Sequence, residues 1–284
     1  MGRGKDPDMS QGVTESALLA RIERGERIES AEEMTDEYRE SLVHLMIMQA
    51  DSELAGGYGY VPWIMKAPGV EEKHVVAQIV KDEHRHAAVM YGLLADLGVD
   101  VDAHVRAHDE AFAMRIDASV DDIGTARVGA DKRVNIFYYP IDTWADFVFF
   151  NFCMDRGAGH QLEDVRQCSY GPWARAIEGI FKEEKFHIRH GEYWVAKLAG
   201  DPATRGEAQA TLNKWFIRTM NIFGRPGSPK NLLYRKYKLK IRDNDEVRQA
   251  FAAEVRAKVL EIGLTVPEWT PVWDRLPEEA QIPG

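Results

Sequence analysis

Two Glu-x-x-His pairs, Glu83/His86 and Glu184/His187, lie in the middle of long amphipathic runs. On a helix, positions i and i+3 share a face one turn apart, so each pair can offer a carboxylate oxygen and an imidazole nitrogen to the same ion. Nine histidines make about one accidental Glu-x-x-His expected, so a single pair says little. A core carboxylate and imidazole paired with each other would give the same signature. A third match, Glu71/His74, sits in the charged run Glu71-Glu72-Lys73-His74 and reads as solvated surface. What distinguishes the other two is company: two further runs each bring one inward acid, Glu53 and Asp155. A carboxylate from each of two helices plus a Glu-x-x-His from each of two others is the ligand set of carboxylate-bridged di-iron and di-manganese bundles. Four carboxylates offset two divalent cations, and two neutral imidazoles leave positions open for dioxygen. Asp82 and Glu183 stand four residues before the same histidines and compete as ligands; we read them as outer supports.

The elements that must position these groups follow from periodicity. Leu42, Leu45, Met46, Gln49 and Glu53 recur at three- and four-residue steps, which predicts a helix from Asp36 with a stop at Gly56-Gly57. After a turn around Pro62 and Pro68, Val75, Val76, Ile79, Val80, Met90, Leu93, Leu94 and Leu97 mark a second helix ending at Gly98, with Glu83 and His86 at its centre. Residues 100–140 read as a long crossover with one short helix. Trp144, Phe147, Val148, Asn151, Met154, Asp155 and Ala158 describe a third helix, and Gly171-Pro172 separates it from a fourth, from about Trp173 to Leu198, with Ile177, Ile180, Phe181, Glu184, His187, Trp194 and Val195 on one side. Two later helices are expected at about 203–222 and 244–262, flanking a loop with Pro226, Pro229 and Lys230. Residues 1–34 lack sustained apolar periodicity and read as a flexible arm, with 35–284 forming a single helical domain.

Composition narrows the setting. The 284 residues are 45% hydrophobic and 29% charged, enough for a sizeable core. With 46 acidic against 36 basic residues the net charge is −10, which disfavours nucleic acid and anionic lipid. The apolar stretch from Trp144 to Met154 is interrupted by Asp146 and Asn151 and is far shorter than the roughly 20 residues a membrane helix needs. The first residues lack the apolar core of a secretory signal, so the expected location is the cytoplasm. Cys153 and Cys168 alone cannot build a disulfide framework or a cysteine metal site, which leaves oxygen and nitrogen donors. The tract Arg235-Lys236-Tyr237-Lys238-Leu239-Lys240-Ile241-Arg242 reads as a solvated face, or as a grip on phosphates or an acidic partner. Trp144, Phe147, Phe149, Phe150 and Phe152 read as core.

The segments Ser52-Glu53-Leu54-Ala55-Gly56, Lys81-Asp82-Glu83-His84-Arg85-His86, Tyr139-Pro140, Trp144-Ala145-Asp146, Met154-Asp155-Arg156-Gly157-Ala158, Cys168 to Ala176 and Lys182-Glu183-Glu184-Lys185-Phe186-His187 are collinear with, and resemble, those of the catalytic A subunits of phenylacetyl-CoA 1,2-epoxidases. The likeness runs from Asp36 through Asn244-Asp245-Glu246-Val247-Arg248-Gln249 to Leu264-Thr265-Val266-Pro267. It implies an all-α, ferritin-like four-helix bundle with a long crossover and additional C-terminal helices. It also implies a di-iron centre, with manganese as the alternative ion, that activates O2 and oxygenates an aromatic acyl-CoA. The implied ligands are Glu53, Glu83, His86, Asp155, Glu184 and His187. Electrons must come from a separate reductase, since the chain has neither an iron–sulfur cysteine set nor a Gly-x-Gly-x-x-Gly fingerprint. A structural partner chain or a homodimer completes the expected assembly, with no nucleic acid and no membrane. Two other readings share the scaffold: a di-metal oxidase or hydroxylase of a non-CoA substrate, and a non-catalytic structural component of an epoxidase complex.

Overall fold

A computed structural model describes residues 13–116 and 124–273. In chain order the helices are α1 (Glu15–Glu23), α2 (Asp36–Lys66), α3 (Val70–Asp96), α4 (Val101–Phe112), α5 (Trp144–Phe150), α6 (Arg156–Val165), α7 (Gly171–Gly200), α8 (Arg205–Met220), α9 (Pro229–Lys236) and α10 (Asn244–Glu261). A π-helical turn, Asn151–Asp155, joins α5 to α6 without a break, so α5, the π turn and α6 act as one bundle helix. With α2, α3 and α7 it makes the four-helix core of an all-α, ferritin-like fold. Among the described residues there is no strand, only a parallel bridge between Ile28 and Tyr170. No described helix is long and apolar enough to cross a membrane.

The helix starts are written in side chains. Thr35 caps α2 by accepting from Tyr38 N, and capping boxes built on Thr143/Asp146 and Asp243/Glu246 open α5 and α10. Each satisfies backbone donors that a helix start leaves unpaired. The described parts of the crossover hold α4, packed on α2 and α3, and a 3₁₀ turn at Asn135–Tyr138 that returns to α2, while residues 117–123 lie outside the described residues. Behind the core, α8 packs on α5 and α7, and α10 packs on α6.

Three expectations are corrected. The first bundle helix does not stop at Gly56-Gly57; it continues to Lys66 with Pro62 inside it. A Cβ on Gly57 would stand 2.5 Å from the His84 ring of α3, so this glycine is a site of close helix approach, not a terminator. The loop expected after α8 contains α9, with Pro229 in its first turn and Ser228 accepting from Asn231 N. Residues 13–34 of the expected flexible arm are packed: Leu18 and Ile28 are fully buried, Ile22 nearly so, and Ile28 exchanges backbone hydrogen bonds with Ser169 and Gly171. A nine-residue helix offers too few apolar positions to register as a period. Residues 1–12 lie outside the described residues.

The π turn also has a reason in the facing helix. A Cβ on Gly191 of α7 would stand 2.6 Å from Phe152 N and 2.9 Å from Phe152 Cα, so the widened turn fits only against a glycine. Gly191→Ala is expected to cost about 1–3 kcal/mol through overpacking against backbone that cannot yield. Urea denaturation of the two proteins checks this, and an unchanged midpoint would remove the constraint.

Candidate metal centre

Glu53 on α2, Glu83 and His86 on α3, Asp155 at the end of the π turn, and Glu184 and His187 on α7 all point into the bundle. Both histidines are fully buried, and Glu83, Asp155 and Glu184 are at most 5% exposed. Six ionisable groups in an apolar core are costly unless they compensate one another. The geometry shows how they do so. His86 Nδ1 lies 3.1 Å from Glu184 Oε1 and 3.5 Å from Glu53 Oε2. His187 Nδ1 lies 3.3 Å from Glu83 Oε1 and 3.6 Å from Glu184 Oε2. One ligand atom from each of Glu53, Glu83, His86 and Glu184 falls within 4.8 Å of the others, and the same holds for Asp155, Glu184 and His187. Glu184 belongs to both groups, and Glu83 reaches across from the first to His187.

The opposite ring edges face a second layer of carboxylates, arranged crosswise. His86 on α3 meets Glu183 of α7, with Nε2 and Oε2 2.7 Å apart, and Arg85 pairs with the same carboxylate. His187 on α7 meets Asp82 of α3 at 3.6 Å, and Gln78 donates to Asp82 at 2.6 Å. Each histidine thus turns Nδ1 inward and Nε2 outward towards an acid; in His86 this is a hydrogen bond of the kind that fixes ring orientation at metal sites, whereas His187 Nε2 stands 3.6 Å from its acid without one. Gln49 does the corresponding work for Glu53: its amide donates to Oε1 at 3.1 Å and accepts from Trp173 Nε1 at 3.0 Å.

Sequence reasoning missed two further neighbours, Tyr60 and Asn151. Tyr60 is two helical turns beyond Glu53 on the same face, a relation hidden by ending the helix at Gly56. Burial first, then the charges of Asp155, Glu83 and Glu184, push its phenol well above its ordinary pKa, so it stays protonated. The basic tract at 235–242 is mostly internal bracing: Lys236 pairs with Glu15 and Glu37, Lys238 donates to Ile22 O, and Arg242 pairs with Asp164. Lys240 lines the cavity described next.

The residues fit a pair of divalent cations. The Nδ1 atoms of His86 and His187 and Oδ2 of Asp155 are buried without a hydrogen-bond partner, and all belong to the same cluster. Hard oxygen and imidazole donors suit iron or manganese. In the polypeptide alone, protons take the ions' place. Burial pushes Glu83 up to about 8, helped by the charges of Glu184 and Glu53. Burial opposes the charged form of His86, yet contacts and charge from Glu184 and Glu53 carry it up to about 11. His187 rises likewise, against burial, through Glu184, Asp82 and Glu83. Burial and the Glu184 charge raise Asp155, whereas the histidines hold Glu184 down to about 2 against its burial.

A cavity of about 540 Å³ opens onto this cluster. Glu53, Glu83, Asp155, Glu184 and Tyr60 form one part of its wall, and Leu45, Met48, Phe137, Met154, Leu162 and Phe223 give it an apolar body. Arg127, Lys132, Lys240 and His44 also line it, and Arg127 is exposed to solvent. His44 is held down to about 4 by burial and then by the neighbouring Lys230, so it is neutral there.

Groups protonated in the polypeptide must release their protons to bind metal, so affinity is expected to rise with pH and fall as pH falls. Mn²⁺ titration calorimetry between about pH 6 and about pH 8, in buffers of different ionisation enthalpy, should show net proton release. Binding without proton release would mean that the metal enters elsewhere. Glu183→Ala should weaken the same isotherm about 10–100-fold by freeing the outer edge of His86.

Comparison with known proteins agrees with this architecture. The phenylacetic acid catabolic protein family matches residues 9–275. The A subunit of 1,2-phenylacetyl-CoA epoxidase from Escherichia coli strain K12 is 30% identical over 257 residues, covering 89% of this chain and 77% of that protein. Component B of benzoyl-CoA oxygenase from Aromatoleum evansii is 26% identical over 168 residues, 59% of this chain and 33% of that protein. The family match extends over both Glu-x-x-His helices and every described residue, and the chain therefore belongs to the phenylacetic acid catabolic protein family.

Proposed function

We propose that the protein is the catalytic chain of a di-iron monooxygenase that oxygenates an aromatic or related acyl-CoA thioester, by epoxidation of the ring. The observation that carries this reading is the cavity whose inner wall is made of the four clustered carboxylates. Its volume is in the range that encloses a small organic ligand, and its apolar body suits an aromatic acyl group. The cations at Arg127, Lys132 and Lys240 suit the anionic end of the thioester. Both relatives are named for oxygenation of an aromatic acyl-CoA.

In this reading Glu53, Glu83, His86, Asp155, Glu184 and His187 would hold the iron pair, with Glu184 belonging to both groups of clustered donors. Bound there, the pair supplies the redox chemistry that activates dioxygen. The chain's own part is to present oxygen and imidazole donors, orient the His86 ring through Glu183, and keep the acyl group in an apolar space away from bulk water. Electrons arrive from a separate reductase, because two buried cysteines are too few to hold an iron–sulfur cluster. Both relatives are named as parts of larger enzymes, which favours work within an assembly, with a structural partner or a second copy. We place that assembly in the cytoplasm.

Two measurements test the reading. Purified protein should contain about two irons per chain, and a Glu83→Ala/Glu184→Ala double variant close to none. If the wild type holds no more iron than the variant, the di-iron site is wrong. The iron-loaded protein should then be melted against phenylacetyl-CoA, benzoyl-CoA, aliphatic thioesters, free CoA and the free acids; saturation about 100-fold above Kd would stabilise it by about 2.7 kcal/mol. Stabilisation by a thioester beyond free CoA supports the acyl-CoA reading. Stabilisation by a free acid alone moves the function to a non-CoA oxidase on the same scaffold.

A further inference from the structure

The buried pair formed by Tyr60 and Asn151 is not accounted for by packing alone. Tyr60 is 1% exposed, sits edge-on to Phe147 and Phe150, and lines the cavity beside Glu83, Asp155 and Glu184. Its ring therefore has an apolar seat, but its hydroxyl faces a group of acids. Asn151 Nδ2 donates to the Tyr60 oxygen at 3.3 Å. The Asp155 carboxylate, four residues on, lies beside the same amide. Asn151 and Asp155 are the first and last residues of the π turn that Gly191 accommodates. The Oδ1 atom of Asn151 is buried with no hydrogen-bond partner, so the side chain is held by what its NH2 group does.

We propose that Tyr60 and Asn151 are positioning residues which act through Asp155: the π turn aims the Asn151 amide at both Tyr60 and Asp155, and together they set the orientation of that carboxylate in the metal centre. This rests on the di-iron reading. The pair anchors α2 to the third bundle helix at the one ligand that comes from neither Glu-x-x-His helix and has no Gln49-like support. Asp155 Oδ2 has no hydrogen-bond partner, and the carboxylate is carried by the same π turn that carries Asn151. Because Tyr60 accepts from Asn151, its own O–H proton is left to point into the space the four carboxylates share with the cavity.

The test uses the full chain with Tyr60→Phe, which keeps the ring seat, Asn151→Ala, and Tyr58→Phe as a control whose hydroxyl bonds to Asp109 away from the cluster. The melting temperature of each metal-free protein reports folding. The readouts are the Fe²⁺ binding isotherm and the electron paramagnetic resonance spectrum of the ferrous protein treated with nitric oxide. Tyr60→Phe and Asn151→Ala should fold like the wild type, bind the weaker of two irons about 10–100-fold less tightly and show an altered nitrosyl spectrum, while Tyr58→Phe matches the wild type. If Tyr60→Phe folds and gives the wild-type isotherm and spectrum, the positioning role is overturned while the di-iron reading stands. If Asn151→Ala fails to fold, Tyr60→Phe alone decides. If the wild type binds no iron, both this inference and the di-iron reading fall.

Discussion

The rest of the structure depends on one constraint: four carboxylates and two imidazoles must share the dry interior of a helical bundle. Isolated, each would lose its charge or destabilise the fold. Placed together they compensate, with both histidines raised and Glu184 depressed by their mutual fields. The excess of acids over imidazoles is what makes a pair of divalent cations the natural counter-charge. Most of the neighbouring polar residues have a task that follows from this. Gln49 steadies Glu53, Glu183 and Asp82 stand behind the histidines, and Gln78 and Arg85 in turn hold those acids.

The crosswise pairing of the outer acids ties geometry to fold. Because Asp82 immediately precedes Glu83, and Glu183 precedes Glu184, one helix offers an acid of the cluster on its inner face and, about 100° around, an acid directed at its neighbour. Asp82 of α3 then serves the histidine of α7, and Glu183 of α7 serves the histidine of α3. The two sequence motifs therefore face each other crosswise, joined by the hydrogen bond between His86 and Glu183. Gly57 and Gly191 contribute from outside the cluster by letting His84 and the π turn approach α2 and α7 more closely than any side chain would allow.

The cavity explains the uneven treatment of the six groups. The carboxylates line it and the histidines lie behind them, so a bound molecule meets oxygen donors while the imidazoles remain braced by the opposite helix. The 3₁₀ turn of the crossover supplies Phe137, whose ring packs edge-on against Phe150 and lines one side of this space. The crossover thus builds the pocket as well as connecting helices.

The residue types and spacings by themselves determined the helical class, the bundle helices and the six-residue cluster, because a 3.6-residue period and an i, i+3 ligand pair are local properties. They left Asp82 and Glu183 as competitors of the inner acids, since a spacing of four residues also puts an acid and a histidine on one helix face. Tertiary structure alone decided the rest. The continuation of α2 through Gly56, Gly57 and Pro62 depends on what α3 places opposite, since glycine reads as a stop in an isolated segment and as a contact in a packed pair of helices. The π turn has no local signature, because it exists only where Gly191 leaves room for it. The burial of Leu18, Ile22 and Ile28 depends on a groove assembled from residues far along the chain, including Ser169 and Gly171. Tyr60 and Asn151, 91 residues apart, meet only after both of those decisions have been made.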